Sequence, residues 1–199
     1  MLDPTKLLGP TDRREQELIV LYIIAVAGKR SEYAVKAMGR FMHRTEQWDL
    51  PFYAILELWR VDALRTVMQE CKLSPYKWKY KAFMHAALLG DDYMDLTEIV
   101  PDQWANVGGK RVGIGPKSSR YICMCLDPQN ARYAALDTHV LKWMRHLGYD
   151  APKSTPPAGD KYNKLERLFL EECDKRGRIP AELDLEIWTA YKEGRDIPQ

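Results

Sequence analysis

The chain has 199 residues, of which 46% are hydrophobic and 29% charged, with 12 glycines and 12 prolines. This balance is typical of a globular protein with a real core and excludes wholesale disorder. The net charge is +2, because 30 basic and 28 acidic residues nearly cancel. The longest apolar run, residues 18–27, is half of the roughly 20 residues that span a bilayer. We therefore expect a cytoplasmic protein without a membrane segment.

Helical periodicity dominates the chain, and no stretch shows the sustained two-residue alternation of half-buried strands. The sequence therefore predicts an all-α fold. Thr11 or Asp12 is expected to cap the first helix, Ser31 the second, and Ser74-Pro75 to open the fifth. The predicted helices cover residues 13–27, 31–43, 50–59, 62–71, 76–89, 94–100, 101–107, 116–126, 138–147, 161–176 and 181–192.

Basic residues gather in three short segments although the net charge is small. Residues 28–44 carry five basic residues against one acid, and residues 72–81 and 109–120 each carry four basic residues and no acid. If the fold brings these segments together, they would form one anion-facing surface. Three separate solvated faces are an equally good interpretation of the charge alone.

The sequence VGIGPKSSR, at residues 112–120, is the most informative part of the chain. Gly113 and Gly115 allow a tight turn, and Pro116 suits the first turn of a helix. Lys117 follows beside backbone amides that have no acceptor within the helix. Such a helix start can hold a phosphate of a nucleic acid without contacting a base. Taken alone, the two glycines also fit a simple turn between helices.

Asp137 lies twenty residues beyond Lys117, in the segment ALDTHVLKWMRHLG. The pattern G-h-G-x-K followed by h-D-T-H-h-x-(+), in which h is a hydrophobic residue, resembles the helix-hairpin-helix DNA glycosylases of the endonuclease III and 8-oxoguanine DNA glycosylase superfamily. The resemblance covers about residues 17–148 and is strongest from Val112 onward.

The resemblance also implies an architecture. It predicts an all-α protein of two helical lobes with a cleft between them. The first lobe is a helical barrel of residues 13–133, which contains the helix-hairpin-helix motif at about residues 101–126. The second lobe comprises residues 134–199, which residues 1–12 could join.

The resemblance assigns chemical roles to two residues. It implies that Lys117 attacks the sugar C1′ of a flipped-out nucleotide and that Asp137 is the essential carboxylate. A lysine nucleophile must be neutral, and Asp137 could receive its proton and stabilise the developing sugar cation. A lysine at this position implies a Schiff base and hence β-lyase activity. The plain alternatives are a helix N-cap for Asp137 and a surface lysine for Lys117.

Contacts to double-stranded DNA are expected from the basic segments and the region around the motif. Lys77 and Lys81 share a helix face that would suit phosphates, although an ordinary amphipathic helix fits them equally well. His139 is expected to be structural or to face a phosphate rather than to act as a base. The expected contacts are Gly113, Gly115, Lys110, Arg111, Ser118, Arg120, Lys29, Arg30, Lys77, Lys81 and His139.

The sequence departs from the superfamily at two places. Gly28-Lys29-Arg30 replaces the glutamine that the endonuclease III branch has in its first interhelical turn, where a side chain fills the gap left by the flipped base. Only Cys173 of the four cysteines follows Asp137, so the four-cysteine iron–sulfur cluster of that branch cannot form. No C-x-x-C pair occurs either, and we predict no metal site and no cofactor.

Apolar packing is expected to replace the cluster in the second lobe. The closing helices would pack through Leu165, Leu168, Phe169, Leu185, Ile187 and Trp188. The tryptophans are expected in the core rather than as base-stacking residues: Trp48, Trp59, Trp104, Trp143 and Trp188.

The sequence thus predicts a monomeric DNA repair N-glycosylase with AP-lyase activity that acts on a damaged or modified base. Such a protein would be nucleoid-associated if it is bacterial. One alternative is an enzyme of the same fold that modifies bases in DNA, as the glycosylase-like thymine-modifying proteins of some phages are thought to do. Activity on 5-hydroxymethyluracil in DNA without base release would indicate it. The other is a non-catalytic DNA-binding module, which would form no Schiff base for borohydride to reduce.

Overall fold

The computed structural model describes residues 9–10, 12–73, 76–107 and 110–195, and within these ranges the protein is mostly helical. The prediction of an all-α fold is confirmed. The helices are α1 (Arg13–Val26), α2 (Ser31–Arg44), α3 (Pro51–Arg60), α4 (Leu64–Glu70), α5 (Tyr76–Asp91), α6 (Pro101–Ala105), α7 (Pro116–Leu126), α8 (Thr138–His146), α9 (Asp160–Lys175) and α10 (Pro180–Glu193). Two short strands, β1 (Asn106–Val107) and β2 (Lys110–Arg111), pair antiparallel.

The structure differs from the predicted helices between residues 94 and 107. Only a 3-10 turn, Leu96–Glu98, forms where a helix over residues 94–100 was expected. Val100 is extended because it precedes Pro101, and the residue before a proline is disfavoured in the helical conformation. Helix α6 then ends at Ala105 and the chain continues as β1. The prediction of helix was therefore wrong for residues 106–107.

The predicted helix starts are right in part. Asp12 caps α1 by accepting a hydrogen bond from the backbone N–H of Glu15 at 2.8 Å. Ser31 is the first residue of α2 rather than its cap, and Arg30 at the cap position makes no side-chain hydrogen bond. Three other residues predicted at helix starts lie outside the described residues: Thr11, Ser74 and Pro75.

Helix α1 is the centre of the first hydrophobic core. Its residues from 19 to 25 are buried without interruption, as expected for a helix that is apolar on all sides. It contacts α2, α3, α5 and α7. The core that it forms with these helices extends to Leu126, at the end of α7. The C-terminal half of α1 is therefore held beside α7, the helix that carries Lys117.

A second hydrophobic core is formed mainly by α8, α9 and α10. Trp143, Tyr162 and Phe169 are fully buried in it, together with Leu165 and Ile187. A small cluster links this core to the first, and consists of Met124, Ala131, Ala135 and Ala181. Residues 134–187 thus pack around a hydrophobic core of their own. This second core lies beside α7, the last helix of the first core.

The tryptophans do not all lie in a core. Trp104 and Trp143 are fully buried, as predicted. Trp59 is 50% exposed, because the buried face of α3 runs through Phe52, Ile55 and Leu58 and the next residue points away from it. The core prediction for this residue is wrong.

The four cysteines are free and buried. Within the described ranges, none of the helices has both the length and the apolarity needed to cross a membrane. No group of three or more histidine, cysteine or acidic side chains suited to a metal ion occurs in the same ranges.

Candidate active site

A cavity of about 560 Å³ lies between the two cores. Its walls come from the C-terminal half of α1, the turn at residues 27–30, the start of α7, residues 135–137 and α10. Pockets for small ligands typically measure roughly 300 to 1,000 Å³, so a nucleobase fits this volume. Lys117 and Asp137 both line the cavity. The fold therefore brings the two predicted catalytic residues to one site.

Lys117 lies in the first turn of α7, and within the described residues this helix has no side-chain cap. Gly115 occupies the cap position in an extended conformation. As a glycine it has no side chain that could accept a hydrogen bond from the helix. A Cβ at this position would meet no atom within 4 Å, so the space in front of the helix is open. The free backbone N–H groups and the positive end of the helix can therefore be reached by an anion.

The turn before α7 depends on Gly113. Its φ of +93° lies in the region that residues with a side chain rarely adopt. A Cβ here would lie 2.7 Å from the carbonyl oxygen of Trp78. Both the backbone conformation and the close approach of α5 thus require glycine at this position. The contact with α5 fixes the position of the start of α7.

Asp137 is the N-cap of α8, as the capping interpretation predicts. Its Oδ1 accepts hydrogen bonds from the backbone N–H groups of His139 at 2.8 Å and Val140 at 2.9 Å. These donors and the positive end of α8 stabilise a negative charge on the carboxylate. Both bonds use the same oxygen, and Asp137 also lines the cavity. Capping and a role in the cavity are therefore compatible.

Asp184, on α10, is a second acidic residue of the cavity besides Asp137 and was missed in the sequence. It is 9% exposed and lines the same space as Lys117 and Asp137. Burial raises the pKa of Asp184 well above its usual value; the charge of Asp137 raises it further, whereas Lys117 lowers it. Asp184 precedes Ile187 and Trp188 by three and four residues, so it lies on the inward face of α10. In the sequence, the signal that could have revealed Asp184 was an acidic residue on the apolar face of a predicted helix.

Aromatic side chains form much of the remaining wall. Tyr22, Tyr121 and Trp188 all line the cavity. Burial raises the pKa of both tyrosines, which keeps their hydroxyl groups protonated. Trp188 was expected in the core, but it faces the cavity, with Lys192 Nζ 4.6 Å from its ring centroid. Aromatic walls of this kind suit a planar ligand.

Three of the residues expected to contact DNA line the cavity. Ser118 is buried in the wall, and Lys29 and Arg30 line the cavity with exposed side chains. The other exposed cations lie on α5 and β2. Within the described part of the chain, the exposed cations of this set form no ion pair: Lys29, Arg30, Lys77, Lys81, Lys110 and Arg111.

Arg120 and His139 have partners inside the protein. The Nε of Arg120 donates to both carboxylate oxygens of Glu166, at 2.8 and 2.9 Å, and its guanidinium lies 4.5 Å from the ring centroid of Tyr162. This ion pair ties α7 to α9, and its buried geometry does not support the expected DNA contact of Arg120. His139 stacks on Tyr191 with ring centroids 5.5 Å apart, which fits the structural interpretation.

Buried Lys79 connects the basic segments. It is 1% exposed, and its Nζ donates a hydrogen bond to the carbonyl oxygen of Ala25, near the end of α1. Burial, with a smaller contribution from the nearby charge of Lys29, lowers the pKa of Lys79 to about 8. Its neighbour Trp78 contacts Gly113. The start of α5 therefore touches the end of α1 and the turn before α7, and the three basic segments lie side by side.

Comparison with known proteins identifies the fold. No protein-family model matches the sequence. The structure is similar to the crystal structure of the 8-oxoguanine DNA glycosylase of Thermotoga maritima, with a TM-score of 0.60. The similarity covers 88% of this chain and 78% of that chain at 18% sequence identity. The chain has a DNA glycosylase fold. At this identity the similarity concerns the fold, and residue roles depend on the geometry of the cavity.

A second cavity, of about 630 Å³, lies elsewhere in the glycosylase fold and contains none of the predicted site residues. Arg13 and Glu17 line it, but both are engaged in the fold. The Nε of Arg13 donates to Glu17 Oε1 at 2.8 Å, and the backbone N–H of Phe52 donates to Glu17 Oε2 at 2.8 Å. These bonds tie α1 to α3, so we assign the pair to the architecture.

Proposed function

We propose that the protein is a DNA N-glycosylase with associated AP-lyase activity, which releases a damaged or modified base through a Schiff base on Lys117. The observation that carries the proposal is the position of Lys117 and Asp137 on one cavity of a DNA glycosylase fold. The lysine supplies a nucleophile and the aspartate supplies a fixed negative charge. Together they meet the requirements of base excision.

The chemistry follows from these two positions. The neutral amine of Lys117 attacks C1′ of the flipped nucleotide while the glycosidic bond breaks and its electron pair leaves with the base. Positive charge develops on the sugar, and the negative charge of Asp137 stabilises it. The adduct then opens to a Schiff base, which permits β-elimination of the 3′ phosphate.

Binding of double-stranded DNA would precede this step. The uncapped start of α7 would hold a phosphate next to the target nucleotide, and the exposed lysines and arginines around it would follow the backbone. The target base would flip into the cavity, against the aromatic wall. The protein would act as a monomer, because all of these groups belong to one chain.

Borohydride trapping tests the proposal even while the target base is unidentified. A duplex with a preformed abasic site presents C1′ to Lys117 directly, and the wild-type protein should give a covalent complex with it. A panel of duplexes with 8-oxoguanine, oxidised pyrimidines, uracil, alkylated bases or 5-hydroxymethyluracil should then identify the base that is released.

The outcomes of this panel separate the candidate functions. Base release together with trapping supports the proposal, whereas base release without trapping would indicate a glycosylase that uses water. Conversion of a modified base without its release would assign the protein to base modification. Binding without release, conversion or trapping would leave a DNA-binding module.

A further inference from the structure

The cavity contains a carboxylate, that of Asp184, in addition to the proposed catalytic pair Lys117 and Asp137. Asp184 is 9% exposed and shares the cavity with Lys117 and Asp137. Among the residues that the structure describes, none donates a hydrogen bond to its carboxylate. A buried carboxylate without donors is unstable as an anion, whereas a carboxylic acid in the same place is tolerated.

The two carboxylates lie in opposite environments. Asp137 receives two backbone N–H donors at the start of α8, which stabilise its negative charge. Asp184 lies within α10 and receives neither. The titratable groups that interact with Asp184 are Lys117, Tyr121 and Cys125 on α7, Asp137 before α8, and Tyr162 and Cys173 on α9. Lys117 is the one cation in that group.

We propose that Asp184 is the proton-transfer residue of the cavity, which holds as a carboxylic acid the proton that Lys117 must lose and delivers it to the departing base. The inference depends on the glycosylase function proposed above and assigns a second carboxylate to it. Burial raises the pKa of Asp184, which is the direction that this role requires. Transfer of the proton from Lys117 to Asp184 leaves a neutral amine and a neutral acid beside ionised Asp137.

The protons and electron pairs balance from the attack of Lys117 to the covalent adduct. The amine nitrogen of Lys117 forms a bond to C1′, the glycosidic bond breaks, and its electron pair leaves with the base. Asp184 gives its proton to the departing base and becomes a carboxylate. The new adduct carries a protonated secondary amine, which returns a proton to Asp184.

Asp137 keeps its negative charge throughout this cycle. Its role is then purely electrostatic, opposite the developing sugar cation, and proton transfer is left to Asp184. Paired carboxylates in different environments commonly divide such roles. From the sequence alone, both roles were expected of Asp137.

The test variant is Asp184→Asn, which preserves the shape of the side chain and removes the acidic proton. Single-turnover base release should fall by roughly 10² to 10⁴, the usual contribution of a positioned acid. Borohydride trapping on a duplex with a preformed abasic site should survive, because no base has to leave. Its pH optimum should move upward, since Lys117 must then lose its proton to solvent.

Glu182→Gln is the matched control, because Glu182 is an exposed acid on the same helix and does not line the cavity. It should leave both reactions unchanged. Wild-type base release by Asp184→Asn would overturn the proposal, and so would equal losses of base release and abasic-site trapping. If the wild-type protein neither releases a base nor forms a trapped complex, the proposed function itself fails.

A second measurement needs no correctly folded variant. Single-turnover base release by the wild-type protein should decline toward alkaline pH as Asp184 loses its proton. Asp184→Glu, which retains an acid, should keep that decline. A wild-type rate that only rises with pH would overturn the proposal.

Discussion

Helices α7 and α8 both begin at the cavity, but their first turns are completed in different ways. Helix α8 is capped within the chain, since Asp137 accepts hydrogen bonds from two of its backbone N–H groups. Helix α7 has Gly115 at the cap position, no side-chain cap, and Lys117 in its first turn. A cation is disfavoured at the positive end of a helix.

The start of α8 is thus capped by a side chain, whereas the start of α7 has no side-chain cap and could accept an anion. At α8 the local preferences agree with one another. At α7 the missing cap and the misplaced cation both oppose stability, and such local conflicts are typical of functional sites. A DNA phosphate in front of α7 would resolve both.

The largest expected effect comes from removing Lys117, the proposed nucleophile at α7. Lys117→Gln should abolish strand cleavage and borohydride trapping while the fold and most duplex affinity remain, because glutamine cannot form a Schiff base. Lys110→Gln, which removes an exposed lysine from the same basic segment, should retain trapping. A Lys117→Gln complex trapped at the wild-type level would exclude Lys117 as the nucleophile.

At α8 the substitution Asp137→Asn separates capping from catalysis. Asparagine caps about as well as aspartate, so the melting temperature should stay near that of the wild type. Base release should fall by roughly 10² to 10⁴, because asparagine carries no charge to stabilise the sugar cation. Single-turnover kinetics and thermal unfolding of the same variant provide the two readings. Base release at the wild-type rate would mean that Asp137 serves only as the N-cap of α8.

Salt dependence measures how far the anion site at α7 extends into a basic surface. Each neutralised phosphate should contribute a slope of about −0.9 to the logarithm of duplex affinity against the logarithm of salt concentration. The exposed cations predict a steep slope, and Lys77→Gln or Lys81→Gln should lower its magnitude by about one contact each. An affinity that is flat up to physiological salt would contradict the basic-surface interpretation.

The pH dependence of the free energy of unfolding tests whether Asp184 is protonated in the folded protein. Below the unfolded-state pKa of about 4, Asp184 is protonated whether the chain is folded or not. Above it only the folded state keeps the proton, so the free energy of unfolding should fall as pH rises toward the raised folded-state pKa. Thermal unfolding of wild type and Asp184→Asn should therefore diverge with rising pH in favour of the variant. A constant difference would mean that Asp184 is ionised in the folded protein.

The smallest effect should come from giving α7 the cap that it lacks. Gly115→Ser places a hydroxyl where it can accept from the free backbone N–H groups, and should add roughly a few tenths of a kcal/mol to the free energy of unfolding, because glycine is only slightly worse than serine at an N-cap. It should weaken duplex affinity, because the hydroxyl then competes with the phosphate.

Gly113→Ala serves as the contrast to Gly115→Ser. Alanine at Gly113 is strained at a φ of +93° and clashes with Trp78, so this variant should be destabilised. Chemical denaturation and a duplex titration test both substitutions. A Gly115→Ser variant with unchanged affinity would contradict the phosphate assignment.

The order of the helices and the starts of α1 and α8 could be predicted because their causes are local. Periodicity reports on the apolar face of one helix, and the side chains of Asp12 and Asp137 act on amides two or three residues away. Lys117 and Asp137 were likewise recognisable from short patterns. Prediction failed at residues 106–107, where pairing with β2 decides the conformation.

The remaining features depend on partners that are distant in the sequence. Arg120 is held by Glu166, 46 residues later, and Lys79 is buried because it meets Ala25, 54 residues earlier. Asp184 faces the cavity because α10 packs against α8 and α7. By itself the sequence determined where α1 and α8 begin, because capping acts over a few residues. Only the tertiary structure decided which charges became buried, because burial and ion pairing depend on how separate helices pack.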